Sequence, residues 1–295
     1  MIMDAGVDVD GLKDECALAG QVALVTGASR GLGRALAIRM HGEGMHVAVI
    51  ARTAEGLETL ANELRAAGGL GEVITFSGDV TVPDSVASIV SEVERELGGI
   101  DLLVNNAGMA ESQDVAIWEG APDEWWQVVT TNLRGPALLC RFALPAMVAQ
   151  GRGRIVNINS LRGVRAQATQ SAYAVSKGAL ALLTRNLATS LDGTGVRVFD
   201  YSPGRVQTDL ARSLVALGSM PDSGWTPTDQ ATNGVLAIAS GRLDALSGHF
   251  LHAHDDLEDL AKRAKQIVRA GGRQVELSEA FPGDPLRKHQ VGRAT

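Results

Sequence analysis

Short apolar runs rich in Val and Ile alternate along the chain with longer segments of helical period. The runs Val22–Thr26, His46–Ala51, Val73–Ser77, Leu102–Asn105, Arg154–Asn159, Arg197–Tyr201 and Gly248–His252 predict strands. Between them, segments near Gly33–Glu43, Glu55–Ala67, Asp84–Leu97, Asp123–Gln150, Ser171–Leu191 and Thr228–Ser240 predict helices. Strands that alternate with helices indicate βαβ units and a parallel sheet. Such a sheet is covered on both faces, so its strands read as continuous apolar runs. VALVT, VAVIA and RIVNIN read that way. The unit recurs without a linker, which predicts one doubly wound α/β domain over residues 20–252 with a parallel seven-stranded sheet.

The two ends fall outside this pattern. Residues 1–19 hold five acids against one lysine and read as a flexible acidic arm. Residues 253–295 form an extension in which Leu257, Leu260, Ala261, Ala264, Ile267 and Val268 recur at helical spacing. Asp255, Asp256, Glu258 and Asp259 lead that segment, while Lys262, Arg263, Lys265 and Arg269 follow. This charge order suits a helix dipole. An amphipathic helix is expected over about 256–270, then a tail after about Glu279.

Composition narrows the class. Hydrophobic residues are 45%, charged 21% and aromatic 4% of the 295 residues, which disfavours disorder and leaves a core of Ala, Val, Leu and Ile. The net charge of −7 offers no basic surplus for a nucleic-acid backbone. Cys16 and Cys140 form no CxxC pair, so a reducing, cytoplasmic compartment is expected. The N-terminus lacks the apolar core of a signal peptide. Pro136–Ala149 is too short and too interrupted to span a membrane, so no membrane partner is expected.

Chemistry enters at the ends of the strands. Gly27, Gly31 and Gly33 follow the first strand at GxxxGxG spacing. Small residues let a backbone approach a pyrophosphate, and a helix N-terminus supplies N–H donors to it, as in Rossmann-type dinucleotide sites. Alone, such a turn is weak evidence, since tight packing also uses it. At the end of the second strand stands Arg52, where an acid would hold a ribose 2′-hydroxyl. An arginine there accommodates a 2′-phosphate, so NADP(H) is favoured over NAD(H), with Arg30 as a second phosphate partner. Tyr173 and Lys177 lie one helical turn apart in SAYAVSKGALALL. A nearby ammonium favours the phenolate and lowers the tyrosine pKa, although YxxxK alone is a common spacing. Ser160 ends the fifth strand run, Asn105-Asn106-Ala107-Gly108 the fourth, and PGRVQT follows the sixth. Parallel sheets bind ligands at these strand ends, so the motifs converge on one crevice.

Taken in order, TGASRGLG, NNAG, Ser160, YAVSK and PGRVQT resemble the short-chain dehydrogenase/reductase family in its compact form, over Leu18 to His252. The resemblance implies that Tyr173 is the general acid or base, that Lys177 lowers its pKa and holds the nicotinamide ribose, and that Ser160 bonds the substrate carbonyl. It implies that Asn132, in TTNLRGP, supports a proton-relay water. It places Gly27, Ser29, Arg30, Gly31, Leu32, Gly33, Arg52, Asp79, Val80, Asn106, Ala107, Gly108, Pro203, Gly204, Val206 and Thr208 with Tyr173 and Lys177 around the cofactor. It also implies a homo-oligomer, a tetramer or dimer. Asn159 departs from the family pattern, which often has a second serine there.

The expected activity is therefore hydride transfer between NADP(H) and a ketone or secondary alcohol, with reduction favoured. Epimerase or dehydratase chemistry, or a catalytically silent NADP-binding sensor, are the alternatives. The cluster His252, His254, Asp255 and Asp256 reads as a strand end and helix cap rather than a metal site, and no metal is expected. Arg162 and Arg165 are candidates to meet a carbonyl-rich or anionic substrate, and Trp118 and Trp225 to line its pocket. Trp125 is expected to pack. The stretch from Arg205 to Pro227 reads as a substrate lid.

Overall fold

Every apolar run becomes a strand of one sheet in the computed structural model, which describes residues 18–274. Residues 1–17, including Cys16, and the expected tail after Glu279 lie outside the described residues. The strands are β1 (Val22–Thr26), β2 (His46–Ala51), β3 (Val73–Ser77), β4 (Leu102–Asn105), β5 (Gly153–Ile158), β6 (Val196–Ser202) and β7 (Phe250–His252). They pair in the order β3-β2-β1-β4-β5-β6-β7, all parallel. The chain winds outward from β1 to β3, returns to the centre, and winds the other way from β4. The order reverses between β1 and β4, and a crevice opens at their C-terminal ends.

Side chains alternate across each strand, so the two faces bury different residues. Ala23 and Val25 join one apolar core with helices α1 (Gly31–Gly42) and α2 (Ala54–Ala66). Val22 and Leu24 join the other with α3 (Pro83–Leu97). The second core also receives Leu139 and Met147, from a long helical stretch before β5. VALVT is buried along its whole length because it has helices on both sides.

That long stretch is not uniform. The expected helix over Asp123–Gln150 is α4 (Pro122–Val129), a π-helical turn at Thr130–Arg134, and α5 (Gly135–Gln150). The Gly135 N–H reaches back five residues to the Thr130 carbonyl. Asn132 lies in the middle of the wide turn, fully buried. A π turn inserts a residue without ending the helix, so the apolar period gave no warning of it. The stretch Arg205–Pro227 also differs from a plain loop. Thr208 caps α7 (Asp209–Ala216) by accepting the Ala211 N–H at 3.2 Å, and Leu214 anchors that helix. The remaining helices are α6 (Ser171–Ser190), α8 (Thr228–Ala239) and α9 (Leu257–Ala270).

Helix α9 forms the C-terminal extension. Asp256 caps it, accepting the Glu258 and Asp259 N–H groups at 3.0 Å. Leu260 and Ala264 are buried against the first core, and Leu257, Ala261 and Ile267 pack beside them. After the helix, Arg273 pairs with both oxygens of Asp255 at 2.6 and 2.7 Å. Its carbonyl accepts the Phe250 N–H at 2.9 Å, so the extension returns to cover the edge strand β7. No helix among the described residues is long and apolar enough to cross a membrane.

Candidate active site

The strand ends enclose a cleft of about 1040 Å³. Its floor is the glycine turn. Gly27 has φ +65°, and a Cβ there would stand 2.9 Å from the Ala107 backbone. A Cβ on Gly33 would collide with the Gly27 carbonyl and the Asn106 amide. Asn106 ties the two halves together, its Nδ2 donating to the Thr26 and Gly27 carbonyls at 2.8 and 3.2 Å. The Thr26 hydroxyl accepts the Asn106 and Ala107 N–H groups at 2.9 and 3.0 Å. The N-terminus of α1 carries no side-chain cap and no acid in its first turn. Its backbone donors therefore suit an anion.

Gly27, Ser29, Arg30, Gly31, Leu32, Arg52, Asp79, Val80, Asn106, Ala107, Gly108, Pro203, Gly204, Val206 and Thr208 all line the cleft with Ser160, Tyr173 and Lys177. Two of the expected residues do not. Gly33 is a packing glycine one layer below the surface. Asn132 is buried behind the cleft, where its Oδ1 accepts the Met109 N–H at 2.9 Å and its Nδ2 donates to the Met109 carbonyl and Ser176 Oγ at 2.8 and 3.0 Å. At the far end, Arg52 is exposed and has no ion-pair partner among the described residues. Arg30 instead reaches across to Asp209 on α7 at 3.0 Å. Both partners are mostly exposed, so this pair is weak and readily exchanged.

The reacting groups gather where β5 meets α6. The Ser160 N–H donates to Asn159 Oδ1 at 2.8 Å, and the Ser160 hydroxyl accepts the Arg162 N–H at 3.2 Å beside Tyr173. Tyr173 and Lys177 are both buried, with Lys177 Nζ 5.7 Å from the phenol ring centroid. Nζ donates to the Ile158 carbonyl at 2.7 Å. Burial pushes the Tyr173 pKa above the usual phenol value, and the Glu111 carboxylate adds to the rise, while the Ser160 hydrogen bond and the Arg162 charge oppose it. Lys177 is not among these influences. The groups that favour the phenolate here are Ser160 and Arg162, and Lys177 is itself pushed down by burial to about 8.

Two acids at this site had no part in the sequence reading. Glu111 accepts the Ala172 and Tyr173 N–H groups at 2.6 and 3.2 Å, so it caps α6 from a distant loop. A cap 62 residues away leaves no local pattern. Glu111→Ala removes that cap, at about 0.5–2 kcal/mol. The expected result is a drop in melting midpoint of roughly 1–8 °C, read by scanning calorimetry. Asp200 on β6 is 2% exposed. Here a signal was present, because an acid inside the apolar run VRVFDYS is unusual.

The mouth of the cleft is lined by Met109, Trp126, Leu210, Leu214, Met220, Arg162, Arg165, His252 and His254. Trp126, not Trp118 or Trp225, is the indole at this surface. Trp118 is 82% exposed, and Trp225 bonds Asp222 at 3.1 Å. Trp125 packs, with its Nε1 donating to Ser171 Oγ at 3.0 Å. Of the His/Asp cluster, Asp255 is committed to Arg273 and Asp256 to α9. Among the described residues no group of ligating side chains is set to hold a metal. Cys140 is buried and its thiol is pushed up to about 12, so it is an inert core residue.

Residues 21–216 match the family described as short chain dehydrogenase. A short chain dehydrogenase of Pseudocercospora fijiensis is 34% identical over 274 residues, covering 87% of this chain and 86% of its own. The 3-oxoacyl-(acyl-carrier-protein) reductase FabG of Escherichia coli is 31% identical over 241 residues, covering 80% of this chain and 96% of its own. Among solved structures, a metagenomic short-chain oxidoreductase in complex with NADP is 36% identical with a TM-score of 0.65, covering 76% of this chain and 92% of its own.

Proposed function

The chain belongs to the short-chain dehydrogenase/reductase family of oxidoreductases, and on that premise we propose that it reduces a ketone carbonyl with NADPH. The observation that carries this reading is the grouping of Ser160, Tyr173 and Lys177 at one cleft whose glycine floor and helix N-terminus suit a dinucleotide. Arg52 and Arg30, with no acid at the end of β2, support NADP(H) over NAD(H). The NADP bound by one relative and the carbonyl named in another point the same way.

When bound, the nicotinamide supplies the hydride. The chain's own work is proton transfer and orientation. Ser160 Oγ and Tyr173 Oη hold the carbonyl oxygen, and Tyr173 donates a proton to it as negative charge develops. Burial keeps the phenol protonated, which suits the reductive direction. Lys177 lies below, to hold the ribose hydroxyls and return a proton to Tyr173. Arg162 and Arg165 line the cleft and would meet an anionic or carbonyl-rich substrate, and Trp126, Met220 and Leu214 offer apolar contact to the rest of it. A homo-oligomer, tetramer or dimer, is part of the proposal.

The test is loss of NADPH absorbance at 340 nm with a panel of ketones and diketones. Saturable turnover with at least one of them is expected. Saturable NADPH binding with no turnover across the panel would favour the silent sensor instead.

A further inference from the structure

The catalytic lysine has a buried counter-charge that the reaction described above does not use. Asp200 lies on β6, opposite Asn157 of β5 in the parallel register. Its neighbour Tyr201 faces Ile158, whose carbonyl receives Lys177 Nζ at 2.7 Å. Lys177 and Thr184 are two turns apart on α6, so they share one face of that helix. Both are buried against these strands. Thr184 Oγ1 donates to Asp200 Oδ1 at 3.0 Å, and Asn159 Nδ2 donates to the same oxygen at 2.8 Å. The other end of the Asn159 amide accepts the Ser160 N–H at 2.8 Å. One carboxylate therefore touches the residue that orients Ser160 and lies under the helix face that carries Lys177.

A carboxylate at 2% exposure is costly unless it is hydrogen-bonded and paired. Its hydrogen bonds come from neutral groups, Asn159 and Thr184. The charge it faces is Lys177. From the β7 side, His249 turns its ring to the Leu246 and Ser247 carbonyls. Arg162 and Glu111 face Tyr173. Burial disfavours the Lys177 ammonium and the Asp200 carboxylate, and each opposes that tendency in the other.

We propose that Asp200 is a positioning residue of this site: it is the counter-charge that keeps Lys177 an ammonium and, through Asn159, it fixes the backbone that presents Ser160. The inference rests on the carbonyl-reductase reading for its kinetic test only. Removing the charge lets Lys177 lose its proton at lower pH. The reductive kcat then falls off earlier on the alkaline side.

The first experiment compares the pH profiles of kcat for wild type and Asp200→Asn at saturating NADPH. The alkaline limb is expected to move at least about 0.5 unit to lower pH. A merely structural role would lower the rate at all pH values and leave the limb in place, and that result overturns the proposal. The second experiment needs no Asp200 variant. In protein labelled with [4-¹³C]aspartate, one carboxyl signal should titrate at higher pH in Lys177→Met than in wild type, because a stabilising cation is gone. No displaced carboxyl signal overturns the proposal. Wild-type protein that reduces no carbonyl defeats the reductase reading alone, and the carboxyl titration still decides the lysine pairing.

Discussion

Tyr173→Phe keeps NADPH binding within about threefold of wild type and loses at least ~10²-fold in turnover, the low end for a general acid. The substitution removes one hydroxyl and leaves the ring. That ring packs with Val128 and Ala172, with Trp125 and Met109 beside them, so the fold has no reason to change. What is lost is the hydroxyl proposed to protonate the carbonyl oxygen beside Ser160. Ser160 remains and still stabilises the oxyanion, so activity does not vanish. A loss of 10²–10⁴-fold corresponds to about 3–5 kcal/mol of barrier. Steady-state kcat with saturating NADPH, beside a fluorescence titration of cofactor, separates the two effects. Near-wild-type turnover would remove Tyr173 from the chemistry.

Arg52→Ala raises the KM for NADPH by about 10–100-fold and leaves that for NADH within twofold, which matches the loss of one charge-assisted hydrogen bond at about 1.5–3 kcal/mol. Arg52 is exposed, free of ion pairs among the described residues, and at the end of β2 where the adenosine ribose is read. Arg30 has a competing partner in Asp209. Exposed pairs are worth about 0–1 kcal/mol, so Arg30 is released at little cost, and Arg30→Ala should weaken NADPH less than Arg52→Ala. The same assays on wild type provide the sharper check. Tighter binding of NAD(H) than of NADP(H) contradicts the assignment, as does an equal loss of both cofactors in Arg52→Ala.

Much of this arrangement is legible in the amino-acid sequence. β1 to β4 begin and end where the apolar runs do; β1, β2 and β4 are buried almost throughout, and the half-buried edge strand β3 is bounded by glycines near both ends. The ends of β5 and β6 moved by one residue, and β7 starts late because Gly248 turns at φ +82° before it. The motifs at the strand ends also converged, since a parallel sheet places all its C-termini on one edge. What stayed hidden depends on contacts distant in sequence. The π turn around Asn132 adds one residue without ending the helix, and it answers to Val80 and Met109 rather than to local propensity. Helix α7 is short and sits in a stretch whose Gly, Ser and Pro content reads as loop. Glu111 acts through space on a helix whose sequence is far from its own. Trp118 and Trp225 lie away from the cleft for a related reason, while Trp125 packs as expected. Exposure in a loop is decided by the path of that loop, and Trp126 reaches the cleft because α4 runs along its rim.

The tyrosine itself shows the limit of reasoning from spacing. A lysine one turn away suggested a lowered phenol pKa. Burial acts the other way and is the larger effect, with Ser160 and Arg162 as the opposing groups. The phenol is thereby kept as a proton donor, the form that carbonyl reduction needs.

The most direct measurement follows the hydride. With [4,4-²H₂]NADPH and the carbonyl compound turned over fastest in the panel, mass spectrometry of the product should show one deuterium on the carbinol carbon. It should match the NADPH consumed, and Tyr173→Phe should form at least ~10²-fold less labelled alcohol in the same time. Product alcohol without deuterium, or NADPH consumed without any alcohol formed, would contradict hydride transfer to a carbonyl at this site.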